Sequence, residues 1–156
     1  MRPEGPEAVA ELQPTKGNTA KGTATFTQFG DKVRVHAVVS GLKPGMEHGF
    51  HVHEVGDCSS GDGMSAKGHF NPYGKPHAHF STVERHAGDL PALKADANGR
   101  AELTIELDVI TVASGPASVV GRGLIVHAQP DDYRTQPTGN AGTRLACAVI
   151  RRAPSN

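Results

Sequence analysis

A chain of 156 residues with 16 Lys plus Arg against 16 Asp plus Glu carries no formal net charge. Neither a nucleic-acid backbone nor an anionic membrane surface is therefore its expected partner. No apolar run approaches the length of a transmembrane helix, and the size suits a single domain with a real core.

The opening residues, Met1-Arg2-Pro3-Glu4-Gly5-Pro6-Glu7, lack the apolar core of a signal peptide. That leaves a cytosolic chain, or one from which a signal has been removed and Met1 added. Residues 1–7 read as a flexible tail ahead of one domain over 8–152. Within it, 8–12 is a weak strand, and 19–26 alternates Thr, Ala and Phe. Gly30-Asp31 turns the chain into 32–40, where Val33, Val35 and Ala37 share one face. A connection at 41–45 leads to the strand 47–54.

The run 55–88 is rich in Gly, Pro and Ser and has no apolar period; a loop that long is usually functional or disordered. Strands at 92–97 and 100–107 flank Asn98-Gly99, a two-residue hairpin signal. After an irregular link at 108–121 come an apolar strand at 123–128, a loop at 130–143 and a last strand at 144–151. About eight strands with no helical period predict an all-β antiparallel sandwich or closed barrel.

Seven of the nine histidines lie between His48 and Asp89. On a strand, residues i and i+2 face the same side about 6.6 Å apart. His51 and His53 can therefore converge on one ion while Val52 points into the core. His69, His77, His86 and Asp89 follow at gaps of eight, nine and three, in a polar loop that could order itself around metal. His36 and His79 read as surface residues. His127 ends an apolar strand, where an unsatisfied imidazole is costly, so it is either a satisfied core residue or a ligand. The two cysteines, Cys58 and Cys147, suit one disulfide or two buried thiols.

These residues carry a resemblance. Gly49-Phe50-His51-Val52-His53, Gly68-His69-Phe70-Asn71-Pro72, Arg85-His86-Ala87-Gly88-Asp89, Val126-His127 and the run Gly139–Cys147 occur in the order found in the copper/zinc superoxide dismutases. The chain resembles that family from about residue 8 to residue 150. The resemblance implies an eight-stranded Greek-key barrel or sandwich with long metal-binding and channel loops. It implies one copper per subunit held by His51, His53, His69 and His127, and one zinc held by His69, His77, His86 and Asp89. His69 would then serve both metals as a bridging imidazolate. Three nitrogens and a carboxylate suit a closed zinc site, and four imidazoles suit Cu(II).

By the same resemblance Asp131 links a copper histidine to a zinc histidine from outside the ligand shell. His48 is a structural histidine beside the first ligands, and Cys58 pairs with Cys147. Arg144 and Thr138 stand at the mouth of the copper channel, where a fixed guanidinium would meet the superoxide anion. The implied activity is disproportionation of superoxide to dioxygen and hydrogen peroxide, with His69 passing a proton. The rival is a non-catalytic copper/zinc-binding or copper-delivery module, whose degenerate members lose a ligand or the channel arginine; a zinc hydrolase lacks a general base beside an open zinc.

The segment between His127 and Arg144 is shorter than in typical eukaryotic members and looks more like the bacterial branch. That shifts substrate steering onto other cations, such as Lys67 or Lys75. It also implies export to a periplasm, in keeping with a disulfide, ahead of a cytoplasmic location. Subunit pairing, a homodimer included, differs between branches and stays open.

Overall fold

The structure is a computed structural model that describes residues 4–67, 69–71, 88, 90–113, 115, 117–129 and 143–153. Three long strands, β1 (Glu4–Pro14), β2 (Lys21–Phe29) and β3 (Lys32–Ser40), form an antiparallel meander. Alternation explains it. Val33, Val35, Ala37 and Val39 of β3 are buried while Lys32, Arg34 and His36 are exposed. Ala8, Ala10 and Leu12 of β1 and Ala24 and Phe26 of β2 complete the inner face. β1 opens at Glu4, with Glu4 opposite Phe29 and Glu7 opposite Thr27, so residues 4–7 pair rather than trail as a tail. A register irregularity absorbs the Gly-Pro step between them.

The expected strand 47–54 is two short ones. β4 (Glu47–His48) pairs with β6 (Leu93–Lys94), and β5 (Phe50–His53) pairs with β8 (Gly123–His127). β7 (Ala101–Leu107), β9 (Arg144–Val149) and β10 (Arg151–Arg152) complete the set. The long sheet runs β5-β8-β9-β1-β2-β3-β7, with β10 attached to β1. Its edges are β5 and β7. The β4–β6 ladder joins those edges, since β4 runs into β5 and β6 leads into β7. The result is a curled antiparallel sheet around one core, in which Phe26, Phe50, Leu12, Leu90 and Ile150 are fully buried. Among the described residues the only helix is the 3-10 turn Met64–Ala66, and none is long and apolar enough to cross a membrane.

The Asn98-Gly99 turn is not the two-residue hairpin that the dipeptide suggests. Gly99 is left-handed (φ 76°) but Asn98 is not, and the Asp96 carboxylate accepts from the backbone N–H of Asn98 and Arg100. An Asx-type turn has won over the type I′ turn.

At the opposite end of the barrel, Gln28 is nine-tenths buried and all its polar atoms are used. Its Oε1 accepts from Thr111 Oγ1 and the Val112 N–H, and its Nε2 donates to the Gly30 and Lys32 carbonyls. One side chain thus pins the 108–122 connection to the β2–β3 turn.

Candidate metal centre

β5 and β8 are buried at every position, although they alternate like half-exposed strands. Phe50, Val52, Leu124 and Val126 face the core. His51, His53, Ile125 and His127 face outward, where solvent would be expected. They are covered by residues 54–67 and 69–71, which lie across the outer face. The Cys58–Cys147 disulfide fastens this cover there, with Ala66 and Ile125 packed alongside in a small apolar cluster. The pairings across this face are His53 with Gly123, His51 with Ile125, and Ile125 with Cys147. Gly123 leaves the space the cover needs: an added Cβ would stand 2.7 Å from the Val55 carbonyl and 3.1 Å from Ala66 Cβ.

Under that cover four imidazoles converge. His51, His53, His69 and His127 are all buried, and each offers a ring nitrogen within 4.8 Å of the others. His69 joins through a β-bridge to His53 and stacks on His51 with ring centroids 3.9 Å apart.

The rings are aimed by backbone. His53 Nδ1 donates to the Lys67 carbonyl at 2.8 Å, which leaves Nε2 as the lone-pair nitrogen; it faces His127 Nε2 at 3.2 Å. His48 Nδ1 donates to the His127 carbonyl at 2.9 Å, so this buried histidine holds a cluster member from behind. Burial holds the His53 ring well below the ordinary histidine range, aided by His69, His127 and the Arg144 guanidinium. Four buried imidazoles whose ring nitrogens converge within 4.8 Å fit a late first-row metal ion.

A pH prediction follows from the depressed His53. The unfolded chain binds this proton below about pH 6.5 and the metal-free native chain does not, so stability is fully present above that pH. Metal-free protein should lose thermal stability as pH falls from 7 toward 5, and His53→Gln should flatten the slope. An unchanged slope in the variant would show that other groups carry it.

Two backbone features behind this arrangement are absent from any motif. Lys67 sits at φ 65°, ψ −148°, a region essentially reserved for glycine, and costs on the order of 1–3 kcal/mol. That strain turns its carbonyl toward His53. In β9 the register shifts after Val126: Val126 pairs with Ala146 but His127 pairs with Arg144, leaving Leu145 as a bulge. A bulge re-aims the side chains beyond it, and here it sets Arg144 opposite a cluster histidine.

Arg144 is half-buried, and Nη1 donates to the Gly63 carbonyl at 2.8 Å. Gly63 is left-handed (φ 81°), and an added Cβ would approach Arg144 Cβ to 2.9 Å, so the glycine seats the arginine stem. Burial lowers the guanidinium pKa while Asp62 opposes that. His36 is on the surface, paired with Glu102 at 2.8 Å. His77, His79, His86, Asp89, Asp131, Thr138 and Lys75 lie outside the described residues.

A curled β-sheet that carries a buried four-histidine cluster, with a disulfide-fastened cover and an arginine alongside, defines a metal-binding β-barrel protein. Comparison with known proteins narrows the class. The family profile described as copper/zinc superoxide dismutase (SODC) matches residues 20–150. A superoxide dismutase [Cu-Zn] of Paramecium bursaria Chlorella virus 1 is 42% identical over 87% of this chain and 75% of its own length. Superoxide dismutase [Cu-Zn] 2 of Aquifex aeolicus is 39% identical over 93% and 86%, and superoxide dismutase [Cu-Zn] 2 of Brassica juncea 46% over 92% and 96%. A crystal structure of the clock protein EA4 superposes with a TM-score of 0.85 at 42% identity, covering 94% of each chain. The chain belongs to the copper/zinc superoxide dismutase family. Relatives from a virus, a bacterium and a plant at such similar identities do not single out the bacterial branch.

Proposed function

We propose that this protein is an oxidoreductase that disproportionates superoxide: two superoxide anions and two protons become one dioxygen and one hydrogen peroxide. The buried cluster of His51, His53, His69 and His127 is the observation that carries this reading. One copper per chain is assigned to those four, and one zinc to His69, His77, His86 and Asp89. Copper in that cluster supplies the one-electron redox capacity that no side chain there has.

The chain's own residues do the rest. His53, kept neutral by burial and by its Nδ1 bond to Lys67, presents a lone pair at Nε2. His48 steadies His127 through the main chain. Arg144 receives the anion, held by Gly63, with Thr138 assigned beside it at the mouth. Between the two half-reactions a ring nitrogen of His69 holds a proton, then gives it to the departing peroxide. Asp131 is assigned to orient ligand rings from outside the shell. The Cys58–Cys147 disulfide supports an oxidising compartment, hence an exported protein, ahead of a cytoplasmic one.

The test is metal analysis and superoxide disproportionation on the same sample, after supply of Cu(II) and Zn(II). One equivalent of each metal with turnover is expected. Bound metal without turnover would make the chain a non-catalytic binding or delivery module.

The formal net charge is zero, so attraction of the anion must be local. A cleft that focuses a few charges raises association by about 10- to 1,000-fold. Arg144→Ala should therefore lower the rate by at least about tenfold with both metals retained, and should weaken its dependence on ionic strength. An unchanged rate with an equal salt slope would remove Arg144 from the mechanism.

A further inference from the structure

β5 is an edge of the long sheet, and an edge strand presents backbone groups that need covering. At Val52 the cover is a closed ring of three hydrogen bonds. The Val52 N–H donates to the Gly88 carbonyl (2.9 Å), the Gly88 N–H to the Phe70 carbonyl (2.9 Å), and the Phe70 N–H to the Val52 carbonyl (2.8 Å). Val52 lies between His51 and His53, Phe70 follows His69, and Gly88 precedes Asp89. Three segments distant in the chain thus meet at one point, each one residue from an assigned ligand.

The ring has little tolerance. A Cβ on Gly88 would overlap the Val52 carbonyl oxygen and stand 3.2 Å from Phe70 Cβ, and a backbone oxygen cannot move aside as a flexible side chain does. From outside, the Arg122 guanidinium lies over the Phe70 ring, 4.6 Å from its centroid, while Nη1 donates to the Glu54 carbonyl at 3.0 Å. Glu54 follows His53, so one arginine braces the segments next to two cluster histidines. Opening any one bond orphans a donor and an acceptor in a buried place, so the three stand or fall together.

We propose that the Val52–Phe70–Gly88 ring, braced by Arg122, is the device that sets the copper-ligand and zinc-ligand segments relative to one another. Gly88 and Arg122 are then positioning residues for both metals, although neither binds one. This rests on the ligand assignment above. Ligand shells need placement to about 0.5 Å, and groups that orient ligands from outside are typically worth about 10–100-fold in metal affinity.

The test compares Gly88→Ala and Arg122→Met with Gly22→Ala, a control in β2 whose added Cβ would overlap the Val38 carbonyl oxygen in the same manner, away from the histidines. On protein supplied with Cu(II) and Zn(II), zinc release to a chelator, the copper EPR spectrum and the melting temperature are measured. Gly88→Ala should speed zinc release by at least about tenfold and change the copper spectrum, and Arg122→Met should do both more weakly. Gly22→Ala should melt earlier with zinc release and spectrum unaltered. The same metal changes in Gly22→Ala, at a matched loss of melting temperature, would overturn the proposal.

Amide exchange in the wild-type protein, with the disulfide intact and copper supplied as Cu(I), decides the matter without a variant, should Gly88→Ala not fold. Val52, Phe70 and Gly88 should open at one common rate, and three unrelated rates would overturn the ring. Wild-type protein that held copper but no zinc would count against the zinc assignment instead, and the exchange measurement would still judge the ring.

Discussion

His69→Ala should abolish useful turnover and weaken zinc binding in the same protein. His69 is buried, bridged to His53 and stacked on His51, so it stands inside the cluster assigned to copper. It is also the first residue of the assigned zinc set, which continues into the loop beyond Phe70. Loss of the proton relay alone would cost about 100- to 10,000-fold in rate. Loss of a ligand should cost zinc more than the roughly 10–100-fold typical of an outer partner. Activity, zinc affinity by chelator competition and the visible copper spectrum, read on one preparation, should change together. Intact zinc binding alongside an altered copper spectrum would rule out the bridging role.

Reduction of Cys58–Cys147 should have the largest effect on stability. The bridge spans 89 residues, and closing a loop of that length is worth about 4–5 kcal/mol in the chain-entropy model. That is a large share of the roughly 5–15 kcal/mol that holds a domain together. The effect should reach the site as well. The disulfide fastens the cover that buries His51 and His53, and that cover includes Gly63, whose carbonyl holds Arg144. Unfolded protein kept from reductant should show no reactive thiol; the reduced protein should melt much earlier and lose activity before it unfolds. Equal melting points for the oxidised and reduced forms would show that packing, rather than the tether, holds the cover.

Much of this molecule was legible residue by residue. The β3 strand has the expected bounds, because a clean alternation of Val and Ala with charged residues leaves one solution. His51 and His53 share a face as a two-residue spacing requires, and Val52 enters the core. Less legible was the break at Gly49, since residues 47–54 read as one strand until barrel closure gives β4 and β5 different partners. The early start of β1 was hidden by Gly5 and Pro6, poor strand formers that pairing with β2 accommodates at a register irregularity. Asn98-Gly99 misled because the dipeptide rule ignores a carboxylate two residues upstream.

Alternation, turn residues and histidine spacing are local properties, and they determined by themselves an all-β antiparallel chain and the shared face of His51 and His53. Tertiary structure alone decided which face of β5 and β8 would be buried twice, because that depends on a disulfide between residues 89 apart. It alone decided that Arg144, and not Leu145, stands opposite His127, since a bulge is a mismatch between two strands and neither strand records it alone. The strained Lys67 carbonyl and the Gly88 ring are of the same kind. Each depends on a backbone group that meets a segment distant in the chain, and backbone groups are alike from residue to residue, so a sequence holds no letter for them.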